Sequence, residues 1–353
     1  MPAGSVRIVT PGLAGSGDIG SLMATQETDR HMTETADGRR CIIVSGFPRS
    51  GTSWVAKGLS HAPGFTYYRE PDNYHHVRGA EKRFTYLYLT GEHDDPAYRS
   101  LMTRACAGRV ATAFTMRHDP GPVLRRLRGP GRWVGERFPA LFMRERHVLV
   151  KLVFASLNLE WFSATLPEAR QLCVVRHPCG QFESWQRLGW EPKPRRLLEN
   201  ERLVADYLHP FADLIRSAKG YWERAGALWA ATLHVIHRQT PSDGRRLTMA
   251  FEWLCRDPVA GFQELYRRLG LKWVAEAERF VRDADREGDD RTYAVARASA
   301  KQIDKWTSRL DRSDVQACRA FVEPFGLPFY PDFDPHVASF TGDRRIEPAP
   351  VRR

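Results

Sequence analysis

The run "CIIVSGFPRSGTSW" (41–54) restricts what this chain can fold into more than any other segment. "CIIVSG" (41–46) is a short, continuous apolar stretch ended by glycine, the pattern of a parallel strand buried on both faces. "TSWVAKGLSHA" (52–62) follows with helical spacing. A strand, a tight loop and a helix in this order point several backbone N–H groups at one spot, and the helix dipole adds about half a positive charge there. Gly46 and Gly51 have the GxxxxG spacing of a phosphate-binding loop, and Arg49, Ser50, Thr52 and Ser53 all suit an anion cradle. An ordinary strand–helix turn has no need of that combination. The lysine that such loops carry in nucleoside triphosphatases is absent. Its position is Thr52, and the basic residue is Arg49, inside the loop.

Three more buried strands can be read at "HVLVKLVF" (147–154), "RQLCVVR" (170–176) and "RRLTMAF" (245–251). Helical patterns fall at 178–188, with Pro178 in the first turn, across 200–239, as a pair within 257–287 opened by an Asp257 cap, and at about 311–325. Alternating strands and helices predict an α/β fold with a central, mostly parallel sheet flanked by helices. Residues 1–40 read as a disordered tail, 41–335 as a single domain, and 336–353 as a loose C-terminal tail. Residues 289–308 are polar and aperiodic, a loop or flap.

The third strand ends in Arg176, where a magnesium-dependent NTPase would place an aspartate. A cation there binds an anion. Ser184 lies eight residues further on, about two turns into the predicted helix, and an arginine and a hydroxyl together can hold a second phosphate. The site reads as one for an anionic nucleotide without magnesium.

At this point the chain resembles the sulfotransferases that use 3′-phosphoadenosine 5′-phosphosulfate (PAPS). "PRSGTSW" (48–54) is similar to their 5′-phosphosulfate loop, and Arg176 with Ser184 to their 3′-phosphate element. "MAFEWLCRDPVAGFQELYRRLGL" (249–271) resembles a downstream family segment, and "SAKQIDKW" (299–306) the flap over the nucleotide. The resemblance spans roughly 41–325 and implies a P-loop-like sulfotransferase fold. Two departures stand out. Cytosolic members have lysine where Arg49 stands, and a catalytic histidine that "VKLVF" (150–154) lacks. "YYREPDNY" (67–74) instead resembles the Glu–Pro element of bacterial, Golgi and carbohydrate-type members. This implies Glu70 as general base and argues against a simple phenol or steroid acceptor.

The resemblance implies in-line attack by an acceptor hydroxyl or amine on the donor's sulfur. Glu70 takes the proton, which would need a carboxylate pKa raised by partial burial. Arg49, Ser50, Gly51, Thr52 and Ser53 stabilise the leaving phosphate, while Arg176 and Ser184 hold the 3′-phosphate. Trp54 either stacks near the adenine or packs its helix. Glu70 has the alternative of a charged turn before Pro71, with His75 and His76 as other bases. Lys151 either contacts donor or acceptor or pairs at the surface. Lys57 and Lys301 read as solvated.

The net charge of +11 suits an anionic partner, and no nucleic-acid-binding motif accompanies it. The stretch 117–147, rich in arginine, is either a solvated face or an acceptor loop for acidic glycans. No apolar run approaches the about 18–20 residues of a membrane span, and no secretory signal opens the chain. Six scattered cysteines (Cys41, Cys106, Cys173, Cys179, Cys255 and Cys318), without CxxC spacing, read as reduced packing residues with no metal site. A cytoplasmic enzyme is the expectation. The rival functions are a P-loop kinase or NTPase and a non-catalytic nucleotide-binding protein on the same fold.

Overall fold

The structure, a computed structural model, describes residues 40–110, 114–115, 147–239, 246–286, 298–337 and 340–341. The arginine-rich stretch to residue 146, the first part of the expected flap and most of both expected tails lie outside the described residues.

Strands β1 (Cys41–Ser45), β2 (Phe65–Arg69), β3 (His147–Lys151), β4 (Arg170–Val175), β5 (Arg246–Ala250) and β6 (Phe340–Thr341) form one sheet in the order β2-β3-β1-β4-β5-β6. The first five run parallel, and β6 pairs antiparallel with β5. Two of these strands were not expected from the sequence. β2 runs into the first three residues of the segment read only as a Glu–Pro motif, and β6 is two residues long. Among the described residues, the helices of seven or more residues are α1 (Thr52–Leu59), α2 (Pro96–Cys106), α3 (Leu159–Thr165), α4 (Pro178–Gln186), α5 (Tyr221–Arg238), α6 (Pro258–Arg268), α7 (Ala275–Ala284) and α8 (Arg312–Val322). Asp257 caps α6, its carboxylate accepting from Ala260 N at 3.0 Å ahead of Pro258.

Alternation along β1 explains why the strand is apolar throughout. Ile42 and Val44 pack with α1, α6 and α7 through Val55, Phe262 and Val281. Cys41 and Ile43 pack on the opposite face with α2 and α3 through Leu101, Met102 and Phe162. Each of β1's five residues is buried, as a central strand covered by helices on both sides requires. All six cysteines are buried and unbridged. Among the described residues, no helix is long and apolar enough to cross a membrane.

The topology fixes where a ligand can sit. From β1 the chain leaves toward β2 on one side; from β4 it leaves toward β5 on the other. The crevice between β1 and β4 is therefore the topological switch point, where open α/β sheets bind ligands at the C-terminal strand ends. Ser45 is in register with Cys173, so the loops after β1 and β4 emerge side by side.

α5 and α8 pack closely at Gly226, where an added Cβ would lie 2.3 Å from the Cys318 carbonyl oxygen. Gly226→Ala should therefore destabilise by about 1–3 kcal/mol, the usual cost of overpacking, despite alanine's better helix propensity. Urea unfolding of the two proteins checks this, and an unchanged midpoint would refute the close contact.

Candidate functional site

The loop after β1 is shaped by two glycines. Gly51 has φ 95°, and a Cβ there would meet the Phe251 ring at 2.3 Å. At Gly46 a Cβ would lie 2.5 Å from the Val174 carbonyl oxygen of β4. Arg49 itself takes a left-handed φ of 73°, unusual for a residue with a side chain and a local strain of the sort that clusters at ligand sites. Ser50 N closes the turn onto Phe47 O at 3.1 Å. The Ser50 hydroxyl is buried without a partner, a polar atom of the kind that a bound anion satisfies. Helix α1 starts directly after, with no acidic side chain in its first turn to compete for its N–H groups. Thr52 is buried and Ser53 exposed.

The residues predicted to form two separate phosphate sites meet at one place. Arg49 Nε donates to Ser184 Oγ at 2.9 Å, and Arg176 Nη1 donates to the Arg49 carbonyl at 3.3 Å. From α4, Gln181 Nε2 and Trp185 Nε1 both donate to the Pro48 carbonyl, at 3.0 and 2.9 Å. The Arg176 guanidinium lies over the Phe251 ring, 4.9 Å from its centroid. Together Arg49, Arg176 and Ser184 line a cleft of about 360 Å³.

That cleft recruits residues to which the sequence alone assigned no role. Arg187, Lys305 and Arg309 join its wall, giving, among the described residues, five cations against one carboxylate, Glu183. Glu183 is engaged by Arg309 at 2.8 Å and Arg187 at 3.6 Å. The segment resembling a flap does reach the cleft, but through Gln302, Lys305 and Trp306. Lys301 is exposed. Trp306 is held by His177, the residue after Arg176, with the two rings stacked 4.8 Å apart at 3°. His177 is fully buried, and burial pushes its pKa down to about 3, so it is neutral. The carbonyl of Phe333, 3.1 Å from Nε2, assigns the proton to that nitrogen. Glu252, also fully buried, accepts from His177 N at 3.0 Å and from the Tyr330 hydroxyl at 2.6 Å. It belongs to the 249–271 motif, but only the fold reveals that it stands beneath Arg176 and His177.

Trp54 packs edge-on against Phe251 and Phe262, at 5.9 and 5.3 Å, and is 8% exposed. Of its two readings, the packing one describes its position. Lys57 lies over the Phe280 ring at 5.6 Å.

Glu70 lies at the end of β2, with its backbone N bonded to Lys151 O at 2.8 Å and a left-handed φ of 44°. Its carboxylate pairs with Lys151 Nζ and accepts from Asn73 Nδ2 at 2.8 Å, and Arg69 Nε is 3.6 Å away. The expected raised pKa is corrected here. Burial pushes the Glu70 carboxyl up, but the charge and hydrogen bond of Lys151, then Asn73 and Arg69, outweigh it and hold the pKa below its ordinary value. Lys151 is not a surface partner either: it is 2% exposed, and burial lowers its pKa against the opposing pull of Glu70. The raised carboxylate is Asp72, two residues on. Complete burial, then the charge of Glu70, push it up to about 7, although Phe154 N donates to its Oδ2 at 3.1 Å. His75 lies tilted against Tyr74 at 4.0 Å, and His76 stacks on Phe114 at 4.2 Å.

Asp72 yields a stability prediction. Its folded pKa lies above its unfolded value, so between about pH 4 and 7 the native state binds the extra proton, and stability falls as pH rises through that window. Asp72→Asn should flatten this fall and raise Tm at pH 8 by at least about 2 °C. Thermal melts of both proteins at pH 5 and pH 8 check it; parallel pH dependences would refute the assignment.

The family model described as "Sulfotransferase family" matches residues 41–275. No curated protein matches the sequence. Among solved structures, the sulfotransferase domain of the Synechococcus PCC 7002 olefin synthase is 16% identical with a TM-score of 0.42, covering 83% of this chain and 96% of that one. The sulfotransferase domain from the curacin biosynthetic pathway is 15% identical with a TM-score of 0.43, covering 81% and 98%. Mouse sulfotransferase SULT7A1, complexed with PAP, is 14% identical with a TM-score of 0.36, covering 82% and 84%.

Proposed function

Because the chain belongs to the sulfotransferase family, we propose that it transfers a sulfuryl group from PAPS to a hydroxyl or amine of an acceptor. The observation that carries this reading is the meeting of Arg49, Arg176 and Ser184 in one cationic cleft at the β1–β4 switch point. Five cations suit a donor with a 3′-phosphate as well as a 5′-phosphosulfate, and Arg176 stands where a magnesium ligand of an NTPase would be.

The loop N–H groups, Ser50 and Arg49 face the 5′ end of the donor, while Arg176, Ser184 and the flap cations Lys305 and Arg309 hold the 3′-phosphate. The acceptor oxygen or nitrogen attacks sulfur as the S–O bond to the 5′-phosphate breaks. The charge growing on that phosphate is met by fixed dipoles and Arg49. Glu70, already a carboxylate at neutral pH, accepts the acceptor's proton as the new bond to sulfur acidifies it. Lys151 orients Glu70. A carboxylate has about four lone-pair sites, so Lys151 and Asn73 leave room for an acceptor hydroxyl.

Calorimetric binding of adenosine 3′,5′-bisphosphate, the desulfonated product, tests the donor. Binding without magnesium is expected, weakened about tenfold or more by Arg49→Ala and by Arg176→Ala, the range for a charge-assisted hydrogen bond. Failure to bind, with magnesium-dependent ATP binding instead, would overturn the reading. Glu70→Gln should leave product affinity unchanged and lower kcat by about 10²–10⁴-fold, the usual contribution of a general base; an unchanged kcat removes Glu70 from the chemistry.

A further inference from the structure

Residues 329–337 lie beyond the stretch that the family model matches, yet they meet the residues behind the donor cleft. Three of them, Tyr330, Asp332 and Phe333, take left-handed φ values of 54°, 55° and 61°. None is a glycine, so each carries a local cost, and a chain keeps such a bend only where the surrounding contacts over-determine it. Those contacts converge at Tyr330, which is 4% exposed. Its hydroxyl donates to Glu252 Oε2 at 2.6 Å, and its ring lies 6.0 Å from that of Trp229 and edge-on to His177 at 5.1 Å. Burial, then the charge of Glu252, push the Tyr330 pKa well up, so the hydroxyl keeps the proton that it donates.

Glu252 and Trp229 have one target in common. Glu252 Oε1 accepts from His177 N at 3.0 Å, and Trp229 Nε1 donates to Arg176 O at 2.8 Å. That N–H and that carbonyl belong to a single peptide unit. The unit is planar, so holding both of its polar groups fixes its orientation. The Arg176 side chain leaves the main chain at this unit and lines the cleft. Strands β4 and β5 run parallel with Val175 opposite Ala250, which is why residues 176 and 252 emerge together. Further out, Arg176 Nη1 reaches Arg49 O at 3.3 Å and the guanidinium lies over the Phe251 ring. A small rotation of the peptide would swing so long a side chain out of line with both. His177 adds a second tie to the same segment: Phe333 O is 3.1 Å from its Nε2, and its ring stacks on Trp306 and meets Phe333 edge-on at 4.5 Å.

We propose that Tyr330 is a positioning residue for donor binding: through Glu252 and Trp229 it fixes the peptide that carries Arg176, and it makes the segment 329–337 a working part of the nucleotide site from behind the cleft. The inference rests on the PAPS-dependent reading above, in which Arg176 holds the 3′-phosphate. The left-handed residues are retained because they bring the tyrosine hydroxyl to Glu252. Removing that hydroxyl takes a donor from a fully buried carboxyl, which has to shift to recover a partner. The shift is felt first at His177 N, held by the same carboxyl, and from there at Arg176.

Calorimetric titration of the full chain with adenosine 3′,5′-bisphosphate, read as a double-mutant cycle, tests this. Tyr330→Phe keeps the ring and removes the hydroxyl. It should weaken binding about fivefold in the otherwise unchanged protein but less than about twofold in Arg176→Ala, the non-additivity of residues in one network. Trp229→Phe, which frees the carbonyl of the same peptide, should show the same dependence on Arg176, and it gives the answer if Tyr330→Phe does not fold. A loss of equal size in both backgrounds means that the tyrosine supports the fold without acting through Arg176. No loss in either means that it does not reach the site. Each of these, with the product bound by the unsubstituted protein, overturns the inference and leaves the donor reading standing. If the unsubstituted protein does not bind the product, the donor reading falls and this inference falls with it.

Discussion

The hydrogen bonds that α4 and Arg176 make to the carbonyls of Pro48 and Arg49 are the constraint on which the site depends. A peptide plane points its carbonyl and its N–H in opposite directions. Fixing the Pro48 carbonyl on α4 therefore turns the Arg49 N–H away from that helix. The same contacts lock the first strand–loop–helix unit to the fourth strand and its helix, so neither half of the cleft exists without the other. The left-handed φ of Arg49 follows from this: the chain must turn sharply to give its carbonyl to Arg176 and its guanidinium to Ser184. Behind the cleft, Glu252, His177, Tyr330 and Trp306 form a buried support that carries the flap to the same spot.

The second pole of the site is a compact charge cluster. Two carboxylates only two residues apart have their pKa values driven in opposite directions, one by a lysine and one by burial. Divergence of this sort divides roles between like groups. Glu70 stays ionised beside Lys151, while Asp72 is fully buried and accepts from the backbone at Phe154. In the base role proposed for Glu70, a depressed pKa means that it takes its proton late, after bonding to sulfur has made the attacking hydroxyl strongly acidic. A proton on Glu70 would weaken its buried ion pair with Lys151.

Much of the frame was legible in the sequence because central parallel strands are apolar on both faces, as in β1, β3, β4 and β5. β2 escaped notice because Tyr67, Tyr68 and Arg69 mix aromatic and charged character, and its burial comes from neighbours far away in the chain. Arg49, Arg176 and Ser184 could be picked out in the sequence as candidates for anion binding, but their contact with one another could not, since residues 49 and 184 meet through the packing of α4 on the loop. The expectation for Glu70 failed for a like reason. Its burial could be guessed, whereas the lysine at its side is 81 residues away and reaches it only because β2 and β3 pair. Lys305 and Arg309 lay within or beside a recognised flap, yet nothing local distinguishes them from Lys301.

The distribution of charge bears on the acceptor. The net +11 invites the thought of an acidic substrate, and the Glu–Pro element resembles that of carbohydrate-type enzymes. In the fold, however, five cations, Arg49, Arg176, Arg187, Lys305 and Arg309, line the cleft between β1 and β4. Part of the basicity of this protein is thus concentrated where the nucleotide is proposed to bind, and the net charge does not by itself name an acidic acceptor.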